Sequence, residues 1–83
     1  QRLQAIDDAE QAIAPYIHGS LRVRYHGDVA RIEVGVDEIP AILLHREAIV
    51  SAVRQCGFTY VTLDLGGYEM GSLNEVIDTS EAK

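Results

Sequence analysis

Apolar side chains recur at Leu3, Ile6, Ala9 and Ile13, in the three- and four-residue steps that gather them on one face of a helix. Pro15 and Gly19 then punctuate the pattern, so a first helix is predicted from Arg2 to Ala14. The period next shortens to two. Leu21 to Tyr25 and Val29 to Val34 alternate apolar with polar residues around Gly27, the pattern of a β-hairpin. Ile39, Ile42, Leu43, Ile49, Val50 and Val53 return to a helical period, with Asp37 as predicted N-cap, Pro40 tolerated in the first turn and Gly57 as the stop. His45 and Arg46 interrupt that rhythm, which leaves open one long helix or two short ones with a break. Phe58 to Leu65, aromatic and β-branched and lying between Gly57 and the Gly66–Gly67 pair, is the predicted third strand.

The order helix, strand, strand, helix, strand predicts an α+β fold, with a three-stranded sheet containing a β-hairpin and backed by helices. Residues 1–70 read as one small domain. From Gly71 the chain turns polar, ending in Thr79, Ser80, Glu81, Ala82 and Lys83, so residues 71–83 are expected to be a frayed tail. With 47% apolar and 24% charged residues the chain has the composition of one that builds a core, although a domain of this size buries only about 60% of its unfolded surface. It starts at Gln1 without an initiator Met and is read as a soluble piece of a larger protein. No apolar run approaches the roughly 20 residues that span a bilayer. The single cysteine, Cys56, has no partner for an intrachain disulfide and no Cys/His cluster has metal-ligand spacing, which points to a reducing, cytoplasmic setting and to no metal site.

Charge adds the functional signal. A net charge of −6 weighs against a broad grip on nucleic acid or on an anionic membrane. Locally the balance reverses, because Arg22, Arg24 and Arg31 fall within ten residues. The period of two places Leu21, Val23 and Tyr25 on one face of the hairpin and Arg22, Arg24 and His26 on the other; the second strand divides Ala30, Ile32 and Val34 from Val29, Arg31 and Glu33. Two registers keep apolar opposite apolar. A loop at His26 and Gly27 sets Arg22 across from Arg31, whereas a loop at Gly27 and Asp28 sets Arg24 across from Arg31 and Arg22 across from Glu33. In both, arginine faces arginine, which is destabilising unless an anion lies between them. The guanidinium fork suits phosphate or carboxylate, so Arg22, Arg24 and Arg31 form a predicted anion site with Glu33 as its supporting acid. The competing reading is a solvated face whose arginine stems cover the sheet and pair with some of the 13 acidic residues.

Other candidates carry less. His26 and His18 adjoin turns, where an imidazole binds an anion or moves a proton, but such histidines are more often exposed bystanders. Asp64 lies in an apolar strand and must be paired, capped or used. Gly66, Gly67 and Gly71 around Tyr68 serve chain reversal. Cys56 precedes a helix C-terminus, where the dipole raises a thiol pKa, and reads as a packing residue. With no nucleophile–base spacing and no Ser-Gly-Gly-x-Asp-Ser loop for pyrophosphate, no catalytic residue is assigned to this segment.

Three stretches, LRVRYHGDVARIEV at residues 21–34, GFTYVTLDLGGY at 57–68 and GSLNE at 71–75, together resemble the C-terminal region of LarE-type proteins of the ATP pyrophosphatase superfamily. The first helix, around Leu3, Ile6 and Glu10, matches more weakly. The resemblance implies a parent enzyme that uses ATP and Mg to adenylylate a carboxylate of a pyridinium mononucleotide, then installs sulfur on the way to a nickel-pincer cofactor. The sulfur comes from a sacrificed cysteine or an iron-sulfur cluster. The family's ATP loop and sulfur-supplying cysteine lie upstream of the matched region, so Cys56 does not inherit that role and no cofactor is expected on this segment alone. Arg22 and Arg24 match family residues that hold substrate phosphate, and Glu33 matches a functional acid. The expected partners are a mononucleotide-like or phosphate-bearing small molecule, an upstream ATP-binding domain and further copies in a homo-oligomer. Where the family usually has a basic residue after its Gly-Tyr pair, this chain has Glu69 and Met70, so a contact made there has no counterpart. Two other readings are a tRNA-thiolating or amide-forming relative, and an interaction or oligomerisation module whose arginine face meets an acidic protein surface.

Overall fold

A computed structural model describes residues 2–68. The predicted tail, Gly71 and the Glu69–Met70 pair lie outside the described residues. Helix α1, Arg2–Ile13, turns Ala9 and Ile13 fully inward, with Ala5 and Ile6 packed beside them. It tightens into a 3-10 turn at Ala14–Tyr16, where Pro15 occupies an early position whose missing N–H breaks no bond.

Strands β1, Leu21–His26, and β2, Val29–Val34, form the predicted hairpin around Gly27 and Asp28. Gly27 has φ 61° and Asp28 does not have positive φ, the pattern of a turn with glycine at its first central position, whose twist matches the flanking strands. The register is the second of the two that keep the faces apart, with Arg24 opposite Arg31 and Arg22 opposite Glu33. Along its outer edge β1 is met by α1, whose Glu10 carboxylate accepts the Val23 N–H at 3.0 Å and occupies one of the strand's free backbone donors.

Beyond β2 the chain makes a 3-10 turn at Val36–Glu38 and then forms α2, Ile39–Leu44, and α3, Arg46–Gln55. The expected N-cap at Asp37 is not formed. The 3-10 turn runs directly into α2, so the residue before the helix is Glu38, in helical conformation and with no side-chain cap. The break between α2 and α3 falls at His45, whose ring lies against Tyr16 with centroids 4.7 Å apart. Gly57 ends α3 with φ 111°, its N–H donating to the Arg54 carbonyl at 2.9 Å.

Strand β3, Tyr60–Leu63, is shorter than the predicted Phe58 to Leu65. Its pairing with β2 begins at Val29 opposite Tyr60, and an Asp64 turn ends it. Phe58, ahead of the strand, is buried and meets Tyr25 edge-on at 5.8 Å, while Leu65 is exposed. The sheet order is β1-β2-β3, with β2 central and β3 parallel to it. A parallel pair needs a long crossover, which α2 and α3 supply. Val23, Ala30, Ile32 and Val34 close with Ile13, Ile49 and Val53 into one core. Each valine or isoleucine among them contributes about 1.5–3 kcal/mol on burial. The helices lie on this apolar face, so the alternation turns the arginines outward on the other.

Candidate anion-binding site

The pairing of the three strands sets the outward residues in rows across the sheet. His26, Val29 and Tyr60 form one row; Arg24, Arg31 and Thr62 form the next; Arg22 and Glu33 form the third. Along each strand, neighbouring rows are two residues apart, about 6.6 Å.

Within this grid the anion required between the facing arginines is supplied by Glu33. Its Oε1 accepts from Arg24 Nε at 3.1 Å, and its Oε2 from Arg31 Nε at 3.1 Å and Nη2 at 2.9 Å. The carboxylate therefore reaches the arginine diagonally across and the one two residues back, not Arg22 directly opposite. The Glu33 side chain is 10% exposed, whereas the two arginine side chains are 44% and 41% exposed. The acid thus forms a floor and the guanidinium groups a rim. Both carboxylate oxygens hold guanidinium groups in place, and the remaining N–H donors of Arg24 and Arg31 have no acceptor among the described residues. Arg22 stands with its guanidinium carbon 5.5 Å from the centre of the Tyr68 ring and has no acidic partner among the described residues. Tyr68 is brought there by its own N–H, which donates to the Val34 carbonyl at 2.6 Å and extends the chain along the end of β2. Three positive charges against one negative leave this face with a surplus of two. That surplus matches a phosphate monoester, which carries about −1.5 to −2 near neutral pH.

Of the other predicted residues, His26 sits exposed at the end of β1, a row beyond the arginine pair and apart from the Glu33 ion pairs. Asp64 takes the capping role: its Oδ1 accepts the Gly66 N–H at 2.9 Å and closes the turn that carries the chain to Tyr68. His18 contributes its backbone, its N–H and that of Gly19 both donating to the Glu38 carboxylate. Cys56 is a packing residue whose thiol donates to the Ala52 carbonyl at 3.4 Å. Burial first, and then the nearby Asp8 carboxylate, push its pKa above the ordinary thiol value, which favours the unreactive protonated form. Sequence reasoning missed Glu10, Glu38 and the outward pair Tyr60 and Thr62. The alternation in Tyr60-Val61-Thr62-Leu63 would have found the last two. Glu38 had no such signal, because its partners lie 19 and 20 residues away.

Over 62 residues, 75% of its length, the chain is 37% identical to pyridinium-3,5-bisthiocarboxylic acid mononucleotide synthase of Lactiplantibacillus plantarum. The chain is related to the LarE-type proteins. Over 79 residues, 93% of its length, this LarE-like chain is also 34% identical to an uncharacterized protein of Synechocystis sp.. It spans 22% and 30% of these two relatives, so the likeness concerns a segment of each. No protein-family model matches the chain. No helix of the described residues is long and apolar enough to cross a membrane.

Proposed function

We propose that this LarE-like segment is the C-terminal substrate-holding module of an ATP-dependent sulfur transferase of the ATP pyrophosphatase superfamily, acting on a carboxylate of a pyridinium mononucleotide. The observation that carries this reading is the arginine–glutamate–arginine arrangement on the open sheet face, with Arg22 beside it. The name of the synthase to which the chain is 37% identical gives the reading its substrate class. Glu33 fixes the two guanidinium groups before a ligand arrives, so their outward donors meet phosphate with little side-chain entropy left to lose. The anchored phosphate in turn restricts where the rest of the mononucleotide can lie. This puts the segment's contribution in binding and orientation. ATP, Mg, the sulfur source and the chemical step belong, in this reading, to an upstream nucleotide-binding domain.

The test is steady-state kinetics on the full-length protein with a pyridinium mononucleotide as varied substrate. Arg24→Ala and Arg31→Ala are expected to raise KM by roughly ten- to a hundredfold, the effect of removing one or two charge-assisted hydrogen bonds from a bound phosphate. Unchanged KM in both variants would remove the reading.

A further inference from the structure

Tyr60 is 58% exposed on the arginine face, although the residues that follow it at alternate positions, Val61 and Leu63, pack against the core. Burial therefore does not account for a tyrosine at this position. Its row, with Val29 and His26, contains no carboxylate or guanidinium group, whereas the next row holds Arg24 and Arg31. The face thus has a charged end and an aromatic end. One strand across and two residues along, the Cα of Tyr60 lies about 8 Å from that of Arg31, a separation that a sugar between a phosphate and a ring can bridge. The other tyrosine on this face, Tyr68, already has the Arg22 guanidinium over its ring. The Tyr60 side chain has no ring or hydrogen-bonding partner among the described residues.

Resting on the phosphate-binding reading above, we infer that Tyr60 is the stacking platform for the aromatic ring of the ligand whose phosphate Arg24 and Arg31 hold. An aromatic side chain accepts any planar heterocycle on its face. The negative face of a phenol ring adds a preference for one that is positively charged. A pyridinium ring combines both properties. Tyr60 is a positioning residue in this arrangement: it fixes the plane of the ring while the arginines fix the phosphate.

Calorimetric titration of the full chain separates the two contributions, using nicotinic acid mononucleotide and ribose 5-phosphate as probes. Tyr60→Leu is expected to weaken the mononucleotide about tenfold and to leave ribose 5-phosphate unchanged. Tyr60→Phe, which keeps the ring, is expected to bind both probes as the wild type does. Arg24→Ala is expected to weaken both probes together. Equal mononucleotide affinity in Tyr60→Leu and wild type overturns the stacking role while leaving the phosphate site intact. Loss of ribose 5-phosphate binding in Tyr60→Leu also overturns it, since the residue would then be shaping the arginine site. No response of either probe to Arg24→Ala overturns the phosphate reading beneath it.

Discussion

Glu33 has two consequences that pull in different directions. Its carboxylate removes one positive charge from the face, and it also makes the remaining two usable by holding both guanidinium groups in fixed positions. An ion pair that is largely exposed contributes little, but this acid is buried under its partners, where water and salt screen it less. Glu33→Ala is therefore expected to cost about 1–2 kcal/mol, the lower part of the range for hydrogen bonds to charged groups, because both arginine partners are largely exposed. Part of that cost is the repulsion between Arg24 and Arg31, which then face each other with nothing between them. Adding Arg24→Ala to Glu33→Ala is accordingly expected to restore some stability, a non-additivity that chemical denaturation of the single and double variants measures. A Glu33→Ala variant as stable as wild type would show that the carboxylate does not hold the pair.

The turn joining β3 to Tyr68 leaves its backbone little room. Gly67 has φ 85°, and a Cβ there would stand 2.6 Å from Val36 Cγ2 and 3.3 Å from the Val34 carbonyl oxygen. Gly27 also has positive φ, but a Cβ there would meet nothing within 4 Å. Gly27→Ala is expected to cost about 1 kcal/mol from backbone strain alone. Gly67→Ala adds a clash to that strain and is expected to cost at least twice as much, with loss of the Arg22–Tyr68 stack. Equal denaturation midpoints for the two variants would contradict the close approach. Much of this architecture is legible in the sequence, because alternation from Leu21 to Val34 separates the two faces and Gly27 marks the turn. What alternation cannot do is choose between the two registers that preserve it, or show that the Glu33 carboxylate reaches Arg24 rather than the opposing Arg22. Both depend on the turn geometry and on side-chain direction. The failed cap at Asp37 has the same origin: a cap is recognised by residue type, but a 3-10 turn running straight into α2 leaves no extended residue to provide it.

Across the whole chain, the arginine face is a local exception to a negative protein, with 13 acidic residues against 7 basic ones. An approaching anion therefore meets long-range repulsion before it reaches short-range attraction. At physiological salt, charges more than about 8 Å away are largely screened, so the groups in contact decide the affinity. On the proposed phosphate reading those groups are the guanidinium ions of the face, and the partner whose charge changes is the ligand. The second ionisation of a phosphate monoester lies near pH 6. Affinity for ribose 5-phosphate should thus rise between about pH 5 and pH 7.5, as the monoanion becomes the dianion that matches two surplus positive charges. The sign follows from charge alone: deprotonation strengthens the ligand and leaves the arginines unchanged. His26 is the imidazole one row away on this face, and repeating the titration in His26→Gln removes it from the pH response. The rise is expected to persist in that variant and to flatten in Arg24→Ala, where the surplus falls to one. An affinity that falls with rising pH in both wild type and His26→Gln would mean that the bound form is the monoanion, and that the two-charge match does not govern this site.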